Sequence, residues 1–212
     1  MNALILLFYR IVTFFTRVEP QTCKKHAIFY AENNHLKDIE SGMNFIDDQN
    51  KLNDIPYGHK YMSENGCGVI ALYNALIELG VRMTTPSIIS IASQFEKKGI
   101  VLKGKFGTSP FAVLSYLKSL GLRVNVIKSK NIDKINSFSM NYDVFISVII
   151  FNKHSLLDGL HFVCVRKNED GSFSSHNPNM TGTNLYETLN KCSIYEIKHL
   201  YTIGINKGEN NE

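Results

Sequence analysis

Gly121 separates two kinds of hydrophobic pattern in this chain of 212 residues, and that change limits what the chain can fold into. Before Gly121 the apolar residues follow a helical period, whereas after it they fall in short β-rich runs bounded by turn residues. The first half therefore predicts helices and the second half a sheet. We expect an α+β fold of one moderate-sized domain, in which a helical lobe is followed by an antiparallel β-sheet lobe.

The predicted helices are bounded by the residue types that favour helix ends. Serine or threonine is expected at the N-cap, proline at the first helical position and glycine just beyond the last turn. By these signals the chain forms a helix from about Cys67 to Leu79 that stops at Gly80, a second that starts with Thr85 and Pro86, and a third that starts with Ser109 and Pro110 and stops at Gly121. Three helices therefore precede the sheet.

Five short runs after Gly121 have the β-branched and aromatic content that is typical of strands. They are "LRVNVIK", "DVFISVIIF", "LHFVCVR", "SFSSH" and "IKHLYTIGI", with a short helix predicted at "TNLYETLNK" before the last. Asp170-Gly171 is a strong hairpin signal, so a turn at residues 168–171 is predicted to join two of these strands. The sheet is therefore expected to be antiparallel.

The first 60 residues are predicted to form an amphipathic helix followed by an extended or loosely structured arm. Residues 1–17 place apolar side chains at helical spacing, with Arg10 and Arg17 on the other face. This segment is too short to span a bilayer and lacks the flanks of a signal peptide. We expect it to pack against its own domain or to contact a membrane surface or a partner. Residues 18–60 carry scattered charge without a clear period, and residues 207–212 are expected to be a flexible tail.

The composition favours a reducing compartment and argues against a nucleic-acid partner. The net charge of +4 is spread thinly, without the dense basic block that binds nucleic acid. The four cysteines are widely spaced and form neither a CxxC pair nor a dense disulfide framework; they are Cys23, Cys67, Cys164 and Cys192. We therefore expect a cytoplasmic protein, which is peripheral at the membrane if residues 1–17 contact one.

Cys67 is the first candidate for chemistry. It lies between Gly66 and Gly68 at a predicted helix start, where partial positive charge and unpaired N–H groups favour a thiolate. The glycines are predicted to leave space for a substrate backbone, and the Cys67 amide is placed to donate to a developing oxyanion. The alternative is that Cys67 is a small apolar residue at the start of a core helix, because cysteine is often buried.

A nucleophilic cysteine needs a base and a group that orients the base, and the β-rich half offers both. His161 opens a strand among apolar neighbours, and Asn177 follows the next strand across the predicted hairpin. A tight turn brings such positions side by side, so Asn177 is a candidate to orient the His161 imidazole. The alternative is a half-buried His161 satisfied by a backbone carbonyl, with Asn177-Pro178 as a simple turn. His176 is a second candidate imidazole, but strand alternation places it on the face opposite to that of Asn177.

A metal site is the weaker interpretation of the same region. His161, Cys164 and His176 are close in sequence and of metal-ligating types. Strand alternation puts His161 and Cys164 on opposite faces, which opposes a shared metal ion. We predict no metal and no cofactor, and we expect Cys164 to be a core residue. Cys23 and Cys192 are assigned no role beyond packing or exposure.

Three stretches together resemble the C39 and C39-like papain-like cysteine peptidases of the bacteriocin-leader-processing type: "NGCGVIALYNAL", "GTSPFAVLSYLKSLGL" and "GLHFVCVRKNEDGSFSSHNPNMTG". They lie within residues 61–182, in the order helical Cys, strand His and Asn before Pro. The resemblance implies a papain-like fold with two lobes over residues 61–206 and an active site between the lobes. It also implies that Cys67 is the nucleophile, His161 the general base and acid, and Asn177 the orienting residue, with a peptide or small protein as the substrate.

Two positions depart from the pattern of this family. The family usually has aspartate before the proline where this chain has Asn177, although papain relatives use asparagine in that role. Tyr61 stands six residues before the cysteine, where the family has an oxyanion glutamine. Tyr61 and Asn65 therefore become the candidate oxyanion donors, and the loss of one such donor costs roughly 10²- to 10³-fold in turnover. No transporter segments follow the domain, so the peptidase portion of a full peptide-exporting ABC protein is not expected.

The predicted activity is that of a thiol peptidase, with two alternatives from other classes. A Cys-His-Asn domain can pass its acyl group to an amine or thiol and act as an acyltransferase. A catalytically inactive domain of the same fold can bind peptides, and the Tyr61 departure favours this alternative. Residues 18–60 are long and polar enough to lie over the cleft as a latency element. The sequence predicts neither the oligomeric state nor the natural cleavage motif.

Overall fold

The structure, a computed structural model, describes residues 7, 11, 17–81, 87–129, 131–150, 160–177, 185–189 and 198–206. Leu7 and Ile11 are the described members of the predicted N-terminal amphipathic helix; both are helical, and each side chain is 51% exposed. The other residues of 1–16, the predicted tail at 207–212 and Cys192 lie outside the described residues.

The helices in these ranges precede most of the sheet. They are α1 (Pro20–Glu32), α2 (Asn34–Gly42), α3 (Met62–Asn65), α4 (Cys67–Glu78), α5 (Ile88–Lys98), α6 (Pro110–Ser119) and α7 (Ile132–Ser139), with short 3₁₀ turns at Gln49–Leu52 and Leu102–Gly104. Each helix in the described ranges is too short or too polar to cross a membrane.

The strands form two antiparallel sheets. They are β1 (Pro56–Tyr57), β2 (Lys60–Tyr61), β3 (Arg123–Ile127), β4 (Val144–Ile150), β5 (Leu160–Lys167), β6 (Phe173–His176), β7 (Leu185–Tyr186) and β8 (Lys198–Asn206). β1 and β2 form a small hairpin, and the other six strands follow the order β3-β8-β4-β5-β6-β7. The predicted α+β fold is confirmed: helices come first and an antiparallel sheet second, except that α7 lies between β3 and β4.

α4 is the central helix of the core. All of its residues from Cys67 to Leu76 are buried, and it packs against β4 and β5. Phe162 and Cys164 of β5 belong to the same hydrophobic cluster as α4, whereas Val163 and Val165 belong to a second cluster that includes residues of α7. Because side chains alternate along a strand, the two clusters lie on opposite faces of the sheet.

The segment 18–60 is built into the main core, and the prediction of an extended arm is wrong. α1 and α2 occupy most of its first half. Tyr30, Leu36 and Tyr57 are at most 1% exposed and belong to the same hydrophobic cluster as α4. Each of the two helices buries only one or two side chains among many polar ones, so its helical period is weak in the sequence.

A buried carboxylate fastens this N-terminal segment to α5. Glu96 of α5 is 0% exposed, and its Oε1 atom accepts a hydrogen bond from the Gly58 N–H at 2.7 Å. The same oxygen lies 2.6 Å from Nδ1 of His26 in α1. A carboxylate taken out of water requires such partners, so α1 and the β1–β2 turn are held at one buried point.

The predicted ends of α4 and α6 are confirmed. α4 ends at Glu78, and Gly80 adopts the left-handed conformation with φ 56°. Ser109 occupies the N-cap position of α6, although its hydroxyl does not cap the helix backbone. Gly121 follows α6 with φ 74°. Glycine adopts this conformation without a Cβ clash, so the two glycines end the helices as predicted.

The start of α5 differs from the prediction. The helix begins at Ile88, and Ser87 is its N-cap, with the Ser87 hydroxyl accepting a hydrogen bond from the Ser90 N–H at 3.1 Å. Thr85 and Pro86, which were predicted to start this helix, lie outside the described residues. A serine two residues further on provides the same chemistry as the predicted threonine.

The hairpin between β5 and β6 is confirmed, and of the short helix predicted at residues 183–191 only residues 185–189 are described, where Leu185–Tyr186 is a strand instead. The Asn168 N–H donates to the Ser172 carbonyl at 2.8 Å, and Gly171 has φ 82°. In the stretch predicted as a short helix, Leu185–Tyr186 is a strand that pairs with β6. These two residues extend the edge of the sheet, and their pairing with β6 outweighs the helical preference that the sequence indicated.

Gly66 and Gly68 are required by close packing at the start of α4. A Cβ atom on Gly66 would lie 2.1 Å from the sulfur of Met62, and one on Gly68 would lie 2.6 Å from Cβ of Thr108. The Thr108 hydroxyl is itself 2.7 Å from the hydroxyl of Tyr57, which holds Thr108 in place. In contrast to the prediction, the glycines make room for neighbouring protein atoms.

We expect Gly68→Ala to lower the free energy of unfolding. Overpacking a filled site costs about 1–3 kcal/mol, which exceeds the gain of about 1 kcal/mol in helix propensity. Urea unfolding of the variant and the wild type measures the net change. Ser115→Ala, on the exposed side of α6, is a control for propensity alone. An unchanged or higher midpoint for Gly68→Ala would contradict the packing argument.

Candidate active site

Cys67 begins α4 at a bend between two helical segments. The Gly66 N–H donates to the Met62 carbonyl at 2.8 Å, and the Ile70 N–H donates to the Gly66 carbonyl at 3.0 Å. α3 therefore runs almost directly into α4. The Cys67 side chain at this bend is 8% exposed.

The Cys67 sulfur contacts the start of β5. The backbone N–H groups of Phe162 in β5, of Gly68 and of Cys67 itself lie on the side of the sulfur and favour its thiolate form. Phe162 directly follows His161 in the strand. The thiol therefore lies against β5 close to Phe162, one residue along the strand from the predicted base.

Burial dominates the electrostatics of this pair. It raises the pKa of Cys67 to about 11, although the three N–H groups favour the thiolate. It also lowers the pKa of His161, against the hydrogen bond to Asn177, which raises that pKa. The uncharged thiol and the uncharged imidazole are therefore the resting forms at neutral pH. The helix start does supply N–H groups to the sulfur, as expected, but burial outweighs them.

His161 is held by a backbone carbonyl. Its side chain is 3% exposed, and Nε2 lies 2.7 Å from the carbonyl oxygen of Asn177. A carbonyl oxygen can only accept, so Nε2 carries the proton of the neutral imidazole. The basic lone pair of His161 is consequently on Nδ1.

Asn177 contacts the imidazole through its main chain, and its side chain binds another residue. The Asn177 amide nitrogen donates to Oε1 of Gln49 at 2.9 Å, and the Gln49 backbone N–H donates to Oδ1 of Asn177 at 3.1 Å. Asn177 has φ 56°, a left-handed conformation that asparagine tolerates better than most residues. A carbonyl contact to His161 is also what the alternative of a merely satisfied histidine predicts.

Gln49 belongs to this site and was not predicted from the sequence. It is 6% exposed, and its side-chain nitrogen donates to the Ser63 carbonyl at 2.5 Å. In "DDQNKL" it is one polar residue among many, in a stretch without hydrophobic period or motif. No local signal distinguishes it.

The two oxyanion candidates lie in different surroundings. Tyr61 is 50% exposed and precedes α3, where its backbone N–H donates to Oε2 of Glu64 at 3.3 Å. Asn65 is 9% exposed, and its side-chain amide donates to the Gly104 carbonyl. The Asn65 donor is therefore already engaged, whereas the Tyr61 side chain is open to solvent.

His176 lies in a separate polar cluster. It is the Cα partner of Cys164 in the β5–β6 ladder, and its ring stacks on Phe45 with 4.1 Å between the ring centroids. Nδ1 of His176 lies 2.8 Å from Oδ1 of Asp47, and Nε2 lies 2.7 Å from Oε1 of Glu78. We call Phe45, Asp47, Glu78 and His176 the His176 cluster. Both nitrogens of this ring are bound to carboxylates, which makes His161 the better candidate for a base.

Cys164 is a core residue, as predicted. It is 0% exposed and lies in the same hydrophobic cluster as α4, and burial raises its pKa well above the ordinary value. Within the described ranges, no group of three or more His, Cys, Asp or Glu residues is arranged to hold a metal ion.

Comparison with known proteins gives a fold similarity and no sequence match. The sequence matches no protein-family model and no curated protein. Among solved structures, the chain is similar to the peptidase domain of Streptococcus ComA, a bifunctional ABC transporter involved in a quorum-sensing pathway. The TM-score is 0.46 and the sequence identity 16%, over 66% of this chain and 90% of that chain. This level of similarity assigns no family to the chain.

The His176 cluster is expected to make stability depend on pH. Burial lowers the pKa of His176, but the hydrogen bonds to Glu78 and Asp47 raise it by more, so the net pKa is above the ordinary value. The stabilisation is therefore complete below the unfolded pKa of about 6.5 and is lost as pH rises through the folded pKa. Urea unfolding should show a larger difference between wild type and His176→Gln at pH 6 than at pH 9.

The exposed His35 on α2 supplies the matched control. His35→Gln should change the free energy of unfolding at pH 6 by less than His176→Gln does. An equal effect of His176→Gln at pH 6 and pH 9 would show that the cluster does not favour the charged imidazole.

Cys67 is expected to react slowly with iodoacetamide in the folded protein. Its thiol has a pKa of about 11 and is therefore protonated at pH 8, whereas an ordinary thiol ionises near pH ~8.5. Peptide mass spectrometry at pH 8 should therefore show faster labelling of Cys67 after unfolding in urea than before. A folded-state inflection below pH 8 would mean that some group stabilises the thiolate more than burial opposes it.

Proposed function

We propose that the chain is a thiol peptidase in which Cys67 attacks a peptide carbonyl and His161 transfers the protons. The observation that supports this most is the packing of α4, which begins at Cys67, against β5, the strand that carries His161. The Asn177 carbonyl adds to this, because it favours the imidazole tautomer with its lone pair on Nδ1. The papain-like fold and C39-like activity implied by the sequence resemblance form part of the same proposal.

In the proposed reaction, Nδ1 of His161 removes the Cys67 proton while the sulfur attacks the carbonyl carbon of the scissile bond. The C–S bond forms, and the carbonyl electrons move to the oxygen. His161 then gives the proton to the amine, and the C–N bond breaks to leave a thioester on Cys67. Water attacks the thioester with His161 as base, and the carboxylic acid product and the free thiol are released.

Burial makes this a general-base mechanism. With the pKa of Cys67 at about 11 and that of His161 lowered, proton transfer accompanies attack on a bound substrate. His161 acts as base only while it is neutral, so kcat/KM is lost on acidification through its pKa, which lies below the ordinary value. On the alkaline side the profile should stay flat until the thiol itself ionises.

The proposed oxyanion donors are the Cys67 amide with Tyr61 or Asn65. Tyr61 is the better candidate of the two side chains, because Asn65 would have to give up its hydrogen bond to Gly104. The proposed substrate is a peptide or small protein. A cleavage site of small residues, such as Gly-Gly, rests on analogy with the C39 family alone.

The proposed setting is the cytoplasm, with residues 1–17 in contact with a membrane surface. Leu7 and Ile11 support this, because they lie one helical turn apart and each is 51% exposed. Exposed apolar side chains at this spacing are typical of amphipathic segments that lie at a bilayer surface.

A peptide-binding domain without catalysis is the second candidate. The observations that favour it are the burial of Cys67, its raised pKa and the engaged amide of Asn65. The first two disfavour a reactive thiolate in the free protein, and the third leaves Asn65 unable to act as an oxyanion donor without losing its bond to Gly104. In this alternative the same cleft holds a peptide while Cys67 remains a core thiol.

A peptide library with mass-spectrometric detection of products tests the proposal. Wild-type protein should release two products from a subset of peptides, and Cys67→Ala or His161→Ala should reduce the rate by about 10⁴-fold or more. Cys23→Ala, which removes a buried thiol elsewhere in the core, should retain the wild-type rate. Peptide binding by calorimetry without cleavage would instead favour the non-catalytic domain.

A further inference from the structure

Gln49 joins the two parts of the chain that form the candidate active site. On one side its main chain and side chain both bind the side chain of Asn177, beyond β6. On the other side its amide nitrogen binds the carbonyl of Ser63 in α3, the short helix that leads into Cys67. The side chain is 6% exposed, so these bonds form away from water.

We propose that Gln49 is a positioning residue for the Cys67–His161 pair, so that the N-terminal segment completes the active site. This inference rests on the proposed peptidase function and concerns the geometry of the same pair. It replaces the expectation that residues 18–60 lie over the cleft as a latency element.

On the histidine side, Gln49 acts through Asn177. Asn177 is in the left-handed region, with φ 56°, where a residue other than glycine needs support from its surroundings. Two hydrogen bonds to Gln49 fix its side chain, and its carbonyl is then directed at Nε2 of His161 at 2.7 Å. Because that carbonyl determines the tautomer, Gln49 controls which imidazole nitrogen is basic.

On the cysteine side, Gln49 acts through α3. The Ser63 carbonyl accepts its amide at 2.5 Å, and the next residues of α3 lead through Gly66 to Cys67. An amide whose nitrogen and oxygen bind opposite parts of the site resists their separation. A displacement of reacting groups by about 1 Å costs on the order of 10²-fold in rate, so a link of this kind matters for catalysis.

The segment that carries Gln49 is anchored independently of it. Both main-chain groups of Ile46 bind the side chain of Asn74 in α4, at 3.0 and 2.9 Å. The adjacent Asp47 belongs to the His176 cluster. These anchors make it possible to alter Gln49 while the segment stays in place, and to alter Asn74 as a matched loss of two buried hydrogen bonds.

The test compares Gln49→Met with Asn74→Ala in the full chain. Gln49→Met keeps a similar side-chain volume but removes the side-chain hydrogen bonds to Asn177 and Ser63. Asn74→Ala removes two hydrogen bonds that hold the same segment through Ile46, and it leaves the bonds between Gln49 and Asn177 unchanged. Nitrogen NMR of labelled histidine reports the His161 tautomer. Wild type and Asn74→Ala should show the Nε2–H form, and Gln49→Met should show a mixture of both tautomers. Equal tautomers in all three proteins would overturn the proposal.

Kinetics provide the second readout. Gln49→Met should lower kcat/KM by about 10²-fold, mainly through kcat, while Asn74→Ala has little effect beyond its loss of stability. Equal losses in the two variants would mean that Gln49 has only a structural role. If the wild type hydrolyses no peptide, the proposed function fails, and the tautomer measurement still decides whether Gln49 positions His161.

Gln49→Glu is a second variant that keeps the test possible if Gln49→Met does not fold. Its protonated carboxyl can accept from Asn177 and donate to Ser63, as the amide does, whereas its carboxylate cannot donate. The variant should match the wild type in tautomer and relative kcat/KM at low pH and diverge as the carboxyl ionises. A ratio of variant to wild type that does not change between pH 5 and pH 8 would contradict the bridging role.

Discussion

Close contact between the first turn of α4 and β5 is the constraint on which the rest of the structure depends. The first turn itself requires Gly66 and Gly68, because a Cβ atom at either position would collide with Met62 or with Thr108. The contact with β5 encloses Cys67 and brings the Phe162 N–H to the side of the sulfur, where it favours the thiolate. The two hydrophobic clusters, on either face of the sheet, hold β5 in place for this contact. The packing of α4 on β5 therefore determines the surroundings of Cys67, the candidate nucleophile.

The same contact has opposing effects on the thiol. It brings Cys67 to the strand that carries His161, and it removes the water that would stabilise a thiolate. A buried neutral pair resists oxidation and alkylation, because the thiolate is the reactive form. The proposed catalysis by neutral groups would depend on their orientation, which is the role proposed for the bonds that Asn177 and Gln49 make.

The sequence predicts the elements whose signals are local. α4, α6 and the β5–β6 hairpin are bounded by glycine and proline and have strong apolar patterns, and Cys67 and His161 stand out against apolar neighbours. α1 and α2 escape prediction because their stability comes from burying Tyr30 and Leu36 against distant helices. Gln49 escapes for a related reason: its partner Asn177 is 128 residues away. A polar residue in a polar stretch acquires its role only from the folded chain.

That separation of 128 residues also affects how the protein is made. Contacts between distant residues raise contact order and form late in folding, and the N-terminal part of a chain leaves the ribosome first. During translation Gln49, Ser63 and Cys67 emerge well before Asn177. The nascent chain therefore carries its candidate nucleophile without the carbonyl that sets the histidine tautomer. Under the proposed function, His161 therefore gains the carbonyl that fixes its tautomer only after β6 and Asn177 have been synthesised.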